Sequence, residues 1–353
     1  MNSKLVAWFK DIGIGDRPLV GGKGGSLGEL IKAGIRVPNG FIVTTCAFES
    51  YLAAIDKDGN IRSSITALDP EDLDAVSRTC EEARRHISLS PLPDELIEQI
   101  NRAYQNLCDG REKVPVAIRS SATSEDSEEA SFAGLQDTYL WVWGVDNLIA
   151  SVRNCWASLY SPESVTYRLR LKLPEQNLAM GVVVQEMVDS LCSGVMFTRS
   201  PTTGDKSVVT LEGSWGLGSS IVSGEVTPDK YVVNKVTGEF LDRAIAAKTI
   251  QHIPSVKGGV IEEEVPIEKQ KIACLFDEQV TELVQIAKKV EQHYGSPQDI
   301  EWAISKEDQT EKGTYLLQSR PETVWSSKEI KPVAKPKAKP FDHIYSVLGG
   351  RKQ

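Results

Sequence analysis

Two short stretches near the end of the chain, QDIEWAI (residues 298–304) and YLLQSRPET (residues 315–323), read as strands joined by a polar loop. Residues two apart on a strand share a face. Asp299 and Glu301 therefore point one way while Ile300 and Trp302 point into a core, and Gln318 and Arg320 share a face with Leu317 on the other. If the strands pair, two carboxylates, an amide and a guanidinium converge above a buried sheet. Carboxylates so placed can hold Mg2+, which takes oxygen ligands. Arg320 can neutralise charge on a phosphoryl group in transfer. A cross-strand ion pair on a solvated face, worth little in stability, accounts for the same residue types. Spacing alone leaves the two readings level.

Working outward, VAIRSSATSEDSEEASFAGLQDTYL (residues 116–140) runs from an apolar strand through a hydroxyl-rich loop into a second strand. Arg119 sits at the end of that first strand, where a guanidinium needs a ligand or a carboxylate. Ser120, Ser121 and Thr123 follow it, and Gly134 lies in the return. A small-residue loop of this kind makes a flap that closes over a triphosphate through backbone N–H groups. The plainer alternative is a polar hairpin with Arg119 bridged to Glu125 or Asp126. LVGGKGGSLGEL (residues 19–30) surrounds Lys23 with glycines just before a helix, and glycines let a backbone approach a phosphate closely. It matches neither the P-loop nor the dinucleotide-binding spacing, and a tight turn with a solvated lysine would explain it as well. The glycine-rich LEGSWGLGSSIVSGEVTPD (residues 211–229) is either a mobile active-site segment or a long surface loop.

Helical spacing marks LGELIKAG, with Gly34 as its stop, and also PEDLDAVSRTCEEARRHI, PDELIEQINRAYQNL and EQVTELVQIAKKVEQHYG. VVVQEM and SVVTLEG are apolar enough for buried strands. Strands and helices interleave, so the class is α+β or α/β. At 353 residues with 41% apolar and 25% charged, the chain is long enough for two subdomains with an appendage. No apolar run approaches the ~20 residues of a membrane span, and the N-terminus lacks a signal-peptide block, so a cytoplasmic location is expected. The six scattered cysteines fit reduced thiols rather than a zinc site or a disulfide framework. A net charge of −9 argues against a nucleic-acid groove. From residue 326 a lysine- and proline-rich linker (326–340) is expected to be extended. It leads to a terminal peptide (341–353) with Phe341, Ile344, Tyr345 and Leu348 on one helical face, suited equally to docking on a partner and to fraying on its own domain.

These stretches occur in order with VPNGFIVTT, CWASLY, GVVVQEMV, SGVMFTRSPTTG and GSWGLG over residues 15–325. Together they resemble the N-terminal ATP-grasp nucleotide-binding domain of the phosphoenolpyruvate synthase, pyruvate phosphate dikinase and rifampicin phosphotransferase family. The resemblance implies an ATP-grasp fold with subdomains over residues 1–180 and 181–325. It implies ATP and Mg2+ as cofactors, with Lys23 and Arg119 as phosphate-binding cations and Gly134 and Thr138 in the flap. Gln185 and Glu186 become the adenine-contacting hinge, and Glu301 the metal-binding carboxylate with Gln318 and Arg320 on the phosphate side. Asp299 assists at the metal.

In that family the nucleotide domain hands a pyrophosphoryl or phosphoryl group to a histidine on a swivelling domain. His86, His252, His293 and His343 match no such histidine motif, so the histidine is expected on a partner subunit, as in split members such as phenylphosphate synthase, whose ATP-binding subunit is separate. AMP and phosphate are the by-products so implied. Alternatives are a free-standing or truncated phosphoenolpyruvate synthase or rifampicin phosphotransferase ATP domain, a non-catalytic ATP-sensing module, and, lowest, a nicotinamide-dependent enzyme using the glycine loop. Neither nucleic acid nor membrane is expected as a partner.

Overall fold

A computed structural model of the protein describes residues 4–123, 137–308 and 313–326. The chain divides into a compact unit, residues 1–322, and a second unit, residues 323–353, of which 323–326 are described. All of the expected linker beyond residue 326, and the docking peptide, thus lie outside the described residues, as do Gly134, Glu125 and Asp126.

Strands β1 (Val6–Trp8), β2 (Gly40–Val43), β3 (Val116–Ala122), β4 (Thr138–Val142) and β5 (Met180–Glu186) form an antiparallel sheet in the order β1-β2-β5-β3-β4. The expected subdomain break at 180/181 falls inside β5, which pairs wholly within this first sheet. After it come β6 (Ser190–Phe197), β7 (Val208–Trp215), β8 (Asp229–Asn234) and β9 (Phe240–Ala244), then the ribbon β10 (Ile250–Pro254) and β11 (Val260–Glu264). Strands β12 (Gln298–Ser305) and β13 (Thr314–Pro321) complete a second sheet, ordered β13-β12-β6-β7-β8-β9. Helices and two main antiparallel sheets make residues 4–322 an α+β unit, as expected.

The first sheet is covered on both sides, and the strand period sorts its residues between two cores. Phe41, Val43, Val182 and Val184 face a core shared with the helices Thr45–Ile55, Leu73–Leu89, Asp94–Cys108 and Val145–Ser158. Ile42 and Val183, one residue out of phase, face a second core built on the helix Arg17–Lys32, the second sheet and the helix Asp277–Tyr294. This double cover is why β2 and β5 read as unbroken apolar runs. Ile300 and Trp302 are buried in the second core as expected, each large side chain contributing roughly 1.5–3 kcal/mol. All six cysteines are free thiols.

Among the described residues no helix is long and apolar enough to cross a membrane. Helix ends follow the local signals. Gly34 stands just past Lys32 in the left-handed region (φ 67°), with Gly34 and Ile35 N–H donating back to Ile31 and Leu30 carbonyls. That is the glycine stop expected of this helix.

Candidate functional site

A cavity of about 380 Å³ lies where the two sheets meet. Arg119 of β3, Thr138 and Leu140 of β4 and Gln185 and Glu186 of β5 come from the first sheet; Gly194, Glu301, Trp302 and Leu317 come from the second. Met187 and Val188, in the short link from β5 to β6, form the hinge wall. Leu217–Ser223 supplies the remaining side, so the glycine-rich stretch is a wall of the site rather than a remote loop.

The opening strands pair as expected: Glu301 stands opposite Gln318, and Asp299 opposite Arg320. The register then shifts between Glu301 and Trp302, so that Trp302 pairs with Leu316. This bulge corrects one expectation. Leu317 does not take the core face; Leu316 does, and Leu317 lines the cavity beside Glu301. An extra residue in one strand re-aims side chains in this way.

Arg119 and Glu301 are 182 positions apart, yet the guanidinium Nη2 donates to Glu301 Oε2 at 2.9 Å, closing the polar end of the cavity. Arg119 Nη1 also approaches the Leu317 carbonyl at 3.5 Å. Lys23 is held next to this pair: its Nζ donates to the Ser120 carbonyl at 3.0 Å. Here the loop folds differently from the expected turn before a helix. Arg17–Lys32 is helical on both sides of one break at Gly21, whose φ of 72° and ψ of 179° only glycine adopts readily. A Cβ there would lie 1.9 Å from the Ser121 carbonyl oxygen. The break seats the glycine segment on β3, and Ser121 fixes it by donating to the Val20 carbonyl (2.8 Å) and accepting from Gly24 N–H (3.0 Å). At its far side Ser26 donates to the Ser319 carbonyl of β13 at 2.6 Å. One helix therefore touches both strand systems that carry the charged residues, Lys23 meeting β3 and Ser26 meeting β13.

Several buried polar atoms near the cavity have no hydrogen-bond partner among the described residues: Arg119 Nε, Gln185 Nε2, Gln318 Oε1 and Asp299 Oδ1. Leaving such groups unpaired costs about 1–3 kcal/mol each, so they mark where a ligand would bond. The two orphan oxygens flank Glu301, giving an all-oxygen donor set suited to Mg2+. Burial pushes the Asp299 carboxyl above its ordinary value, against the opposing pull of Arg320 at 3.4 Å. A cation beside it would relieve that cost. Gln185, whose amide Nε2 has no partner among the described residues, lines the cavity together with the apolar side chains of Leu140, Met187, Val188 and Leu217, which suit a flat ring. The Glu186 carboxylate is taken by Arg111.

Of the residues singled out from the sequence, Arg119, Thr138, Gln185, Glu186 and Glu301 line the cavity together. Gln318 adjoins it through Glu301, and Asp299 and Arg320 form the next pair outward. Lys23 reaches the β3 backbone rather than the cavity wall. Among the residues that spacing missed are Met187, Val188 and Leu317; Leu217–Ser223 belongs to the glycine-rich stretch already offered as an active-site segment.

The sequence matches the family described as pyruvate phosphate dikinase, AMP/ATP-binding domain, over residues 17–340. A probable phosphoenolpyruvate synthase of Methanothermobacter thermautotrophicus is 41% identical over 322 residues, which cover 91% of this chain and 46% of that protein. One from Staphylothermus marinus is 39% identical over 359 residues (95% and 43%). A rifampicin phosphotransferase of a Streptomyces species is 41% identical over 326 residues (92% and 36%). The chain thus spans less than half the length of these relatives. It belongs to the pyruvate phosphate dikinase AMP/ATP-binding domain family.

Proposed function

We propose that this chain is the ATP-binding unit of a multi-subunit phosphotransferase. It binds Mg·ATP and presents the phosphates to a histidine on a partner subunit, releasing AMP and phosphate, and phenylphosphate synthase, with phenol as final acceptor, is the assignment we favour. The Mg·ATP-binding part of this reading is supported most directly by one cavity that gathers Arg119, Glu301 and several apolar side chains, with the orphan oxygens of Gln318 and Asp299 on the adjoining strand pair; phenol as acceptor is our extension from the split members of the family.

The roles follow from the geometry. The apolar side chains and the Gln185 amide hold the base. Glu301, Gln318 and Asp299 would hold Mg2+, which supplies charge neutralisation on the phosphate oxygens. Arg119 and Lys23 bind the triphosphate as fixed cations, and Arg320, more exposed, is free to follow charge as it shifts during transfer. No histidine among the described residues lines the cavity. His86 bonds the Ile55 carbonyl, His293 pairs with Glu29, and His252 bonds Ser219. An acceptor histidine therefore has to arrive from elsewhere.

The test combines Mg·ATP titration by calorimetry with β-32P-ATP labelling of the complex captured from native extract. Acid-labile label on a separate co-purifying chain, lost on removing residues 328–353 together with that chain, supports the reading. A second reading is favoured by the limited coverage of the relatives: the nucleotide module of a longer phosphoenolpyruvate synthase or rifampicin phosphotransferase type of polypeptide. Label on a single longer chain carrying this sequence would establish that instead. Mg·ATP binding without any labelled histidine would leave the ATP-sensing module.

A further inference from the structure

Beyond the nucleotide cavity, a second group of ligating side chains stands on the ribbon β10–β11. His252 and Glu262 are direct cross-strand partners, so their side chains share one face of the ribbon. Glu225 reaches the same place from the chain that follows the short helix Ser219–Val222. One ligand atom from each of the three lies within 4.8 Å of the others. His252 Nε2 is 3.0 Å from Glu225 Oε2, and its other ring nitrogen, Nδ1, is 2.7 Å from Ser219 Oγ. The His252 main chain is itself anchored, its carbonyl accepting from Leu217 N–H at 2.9 Å.

We propose that Glu225, His252 and Glu262 form a divalent-cation site of the zinc type, separate from the oxygens that face the nucleotide. Ser219, His252 and Glu225 are linked in a row, and the exposed Glu262 carboxylate, with no partner among the described residues, is available as a third ligand. A cation uses all three. One imidazole nitrogen with two carboxylate oxygens is a donor set for zinc rather than magnesium, which prefers oxygen throughout. Bonds of about 2.0–2.2 Å in a tetrahedron place ligand atoms roughly 3.3–3.6 Å apart. The exposed side chains of Glu225 and Glu262 need move by only about an ångström to reach that geometry.

In the ion-bound form Nδ1–H donates to Ser219 Oγ, the outer contact that fixes a ligating ring and raises its basicity. A cavity of about 470 Å³, lined by Ser219, His252 and Glu262, leaves room for a water as fourth ligand. Ser219 and Thr138 line both this cavity and the nucleotide cavity, so an ion here sits against the wall of the site without belonging to it.

The untagged full chain, stripped with chelator and free of nucleotide, is titrated with ZnCl2 by calorimetry and with Co2+ by absorption. One Zn2+ per chain is expected, with a Co2+ visible spectrum free of the thiolate charge-transfer band that a cysteine ligand would give. Glu262→Gln, on an exposed side chain, is expected to weaken zinc at least about tenfold while leaving thermal unfolding unchanged. His252→Ala is expected to abolish binding, and Glu301→Gln to leave it as in the parent chain. Absence of zinc binding, a thiolate band, or affinity untouched by Glu262→Gln each overturns the proposal.

Discussion

Replacing Gly21 with alanine tests how the glycine segment is seated, and therefore where Lys23 is held. Two costs add. Gly21 occupies a region of backbone space that is nearly exclusive to glycine, with a penalty of about 2–3 kcal/mol for a side-chain-bearing residue. Its new Cβ would also lie 1.9 Å from the Ser121 carbonyl oxygen and 2.5 Å from the carbonyl carbon. That obstacle is backbone of a strand paired on both sides, so the glycine segment has to move instead. Moving it breaks Ser121 Oγ to Val20, Gly24 N to Ser121 Oγ and Lys23 Nζ to Ser120, at about 1 kcal/mol each.

The sum is about 5 kcal/mol, a large share of the ~5–15 kcal/mol that holds a domain together. Gly59→Ala is the control: Gly59 is also left-handed (φ 68°), but its Cβ would meet nothing within 4 Å, so only about 1 kcal/mol of strain is expected. Urea unfolding followed by tryptophan fluorescence measures both variants, and Mg·ATP affinity should fall for Gly21→Ala alone. If the two variants lose stability to within about 1 kcal/mol of each other, the close approach of Gly21 to β3 is refuted.

If Arg320 has the proposed role, acting mainly on transition-state charge, Arg320→Ala should leave Mg·ATP affinity within roughly tenfold while transfer to the acceptor falls by orders of magnitude; calorimetry and labelling rates separate the two, and equal losses would sink the assignment. Lys248→Met strands the buried Asp229 carboxylate, whose lysine partner is fully enclosed. Two backbone donors, Ala246 and Cys274 N–H, still serve Asp229, so the loss in urea unfolding should sit near the lower end of ~3–5 kcal/mol. Glu29 is held below its ordinary value of 4.5 chiefly by its hydrogen bond with His293, against opposing burial. A depressed folded value means stability present above pH 4.5 and lost as the pH falls through the lower folded value. Parent and Glu29→Gln stabilities should therefore converge on acidification, and a constant gap from neutral pH to acid would contradict the pairing.

The helices were legible because their apolar positions recur on one face and their ends carry their own stops, Gly34 and Gly295 among them. The alternation of Asp299, Ile300, Glu301 and Trp302 was legible for the same reason in the strand period. Leu317 was not, because a one-residue bulge reverses the alternation and nothing in LLQSR announces it. The partnership of Arg119 with Glu301 was likewise out of reach, since local pattern does not encode a contact across 182 positions; only the kinds of residue suggested a shared site. The subdomain limit failed to show for a related reason: β5 completes the first sheet and the chain passes to the second within Met187–Asp189, too few residues for a composition change.

The ion pair across the cavity has a consequence for the order of events within it. Arg119 Nη2 and Glu301 Oε2 pair with each other across the cavity, while Arg119 Nε has no partner among the described residues. A triphosphate arriving alone would draw Arg119 away and leave the Glu301 carboxylate stranded beside incoming negative charge. A divalent cation arriving alone would take Glu301 and leave the guanidinium facing like charge. Only the two together exchange one ion pair for two. On the proposed function the pair would act as a coincidence detector, coupling metal affinity to nucleotide affinity with the reciprocity that linkage requires.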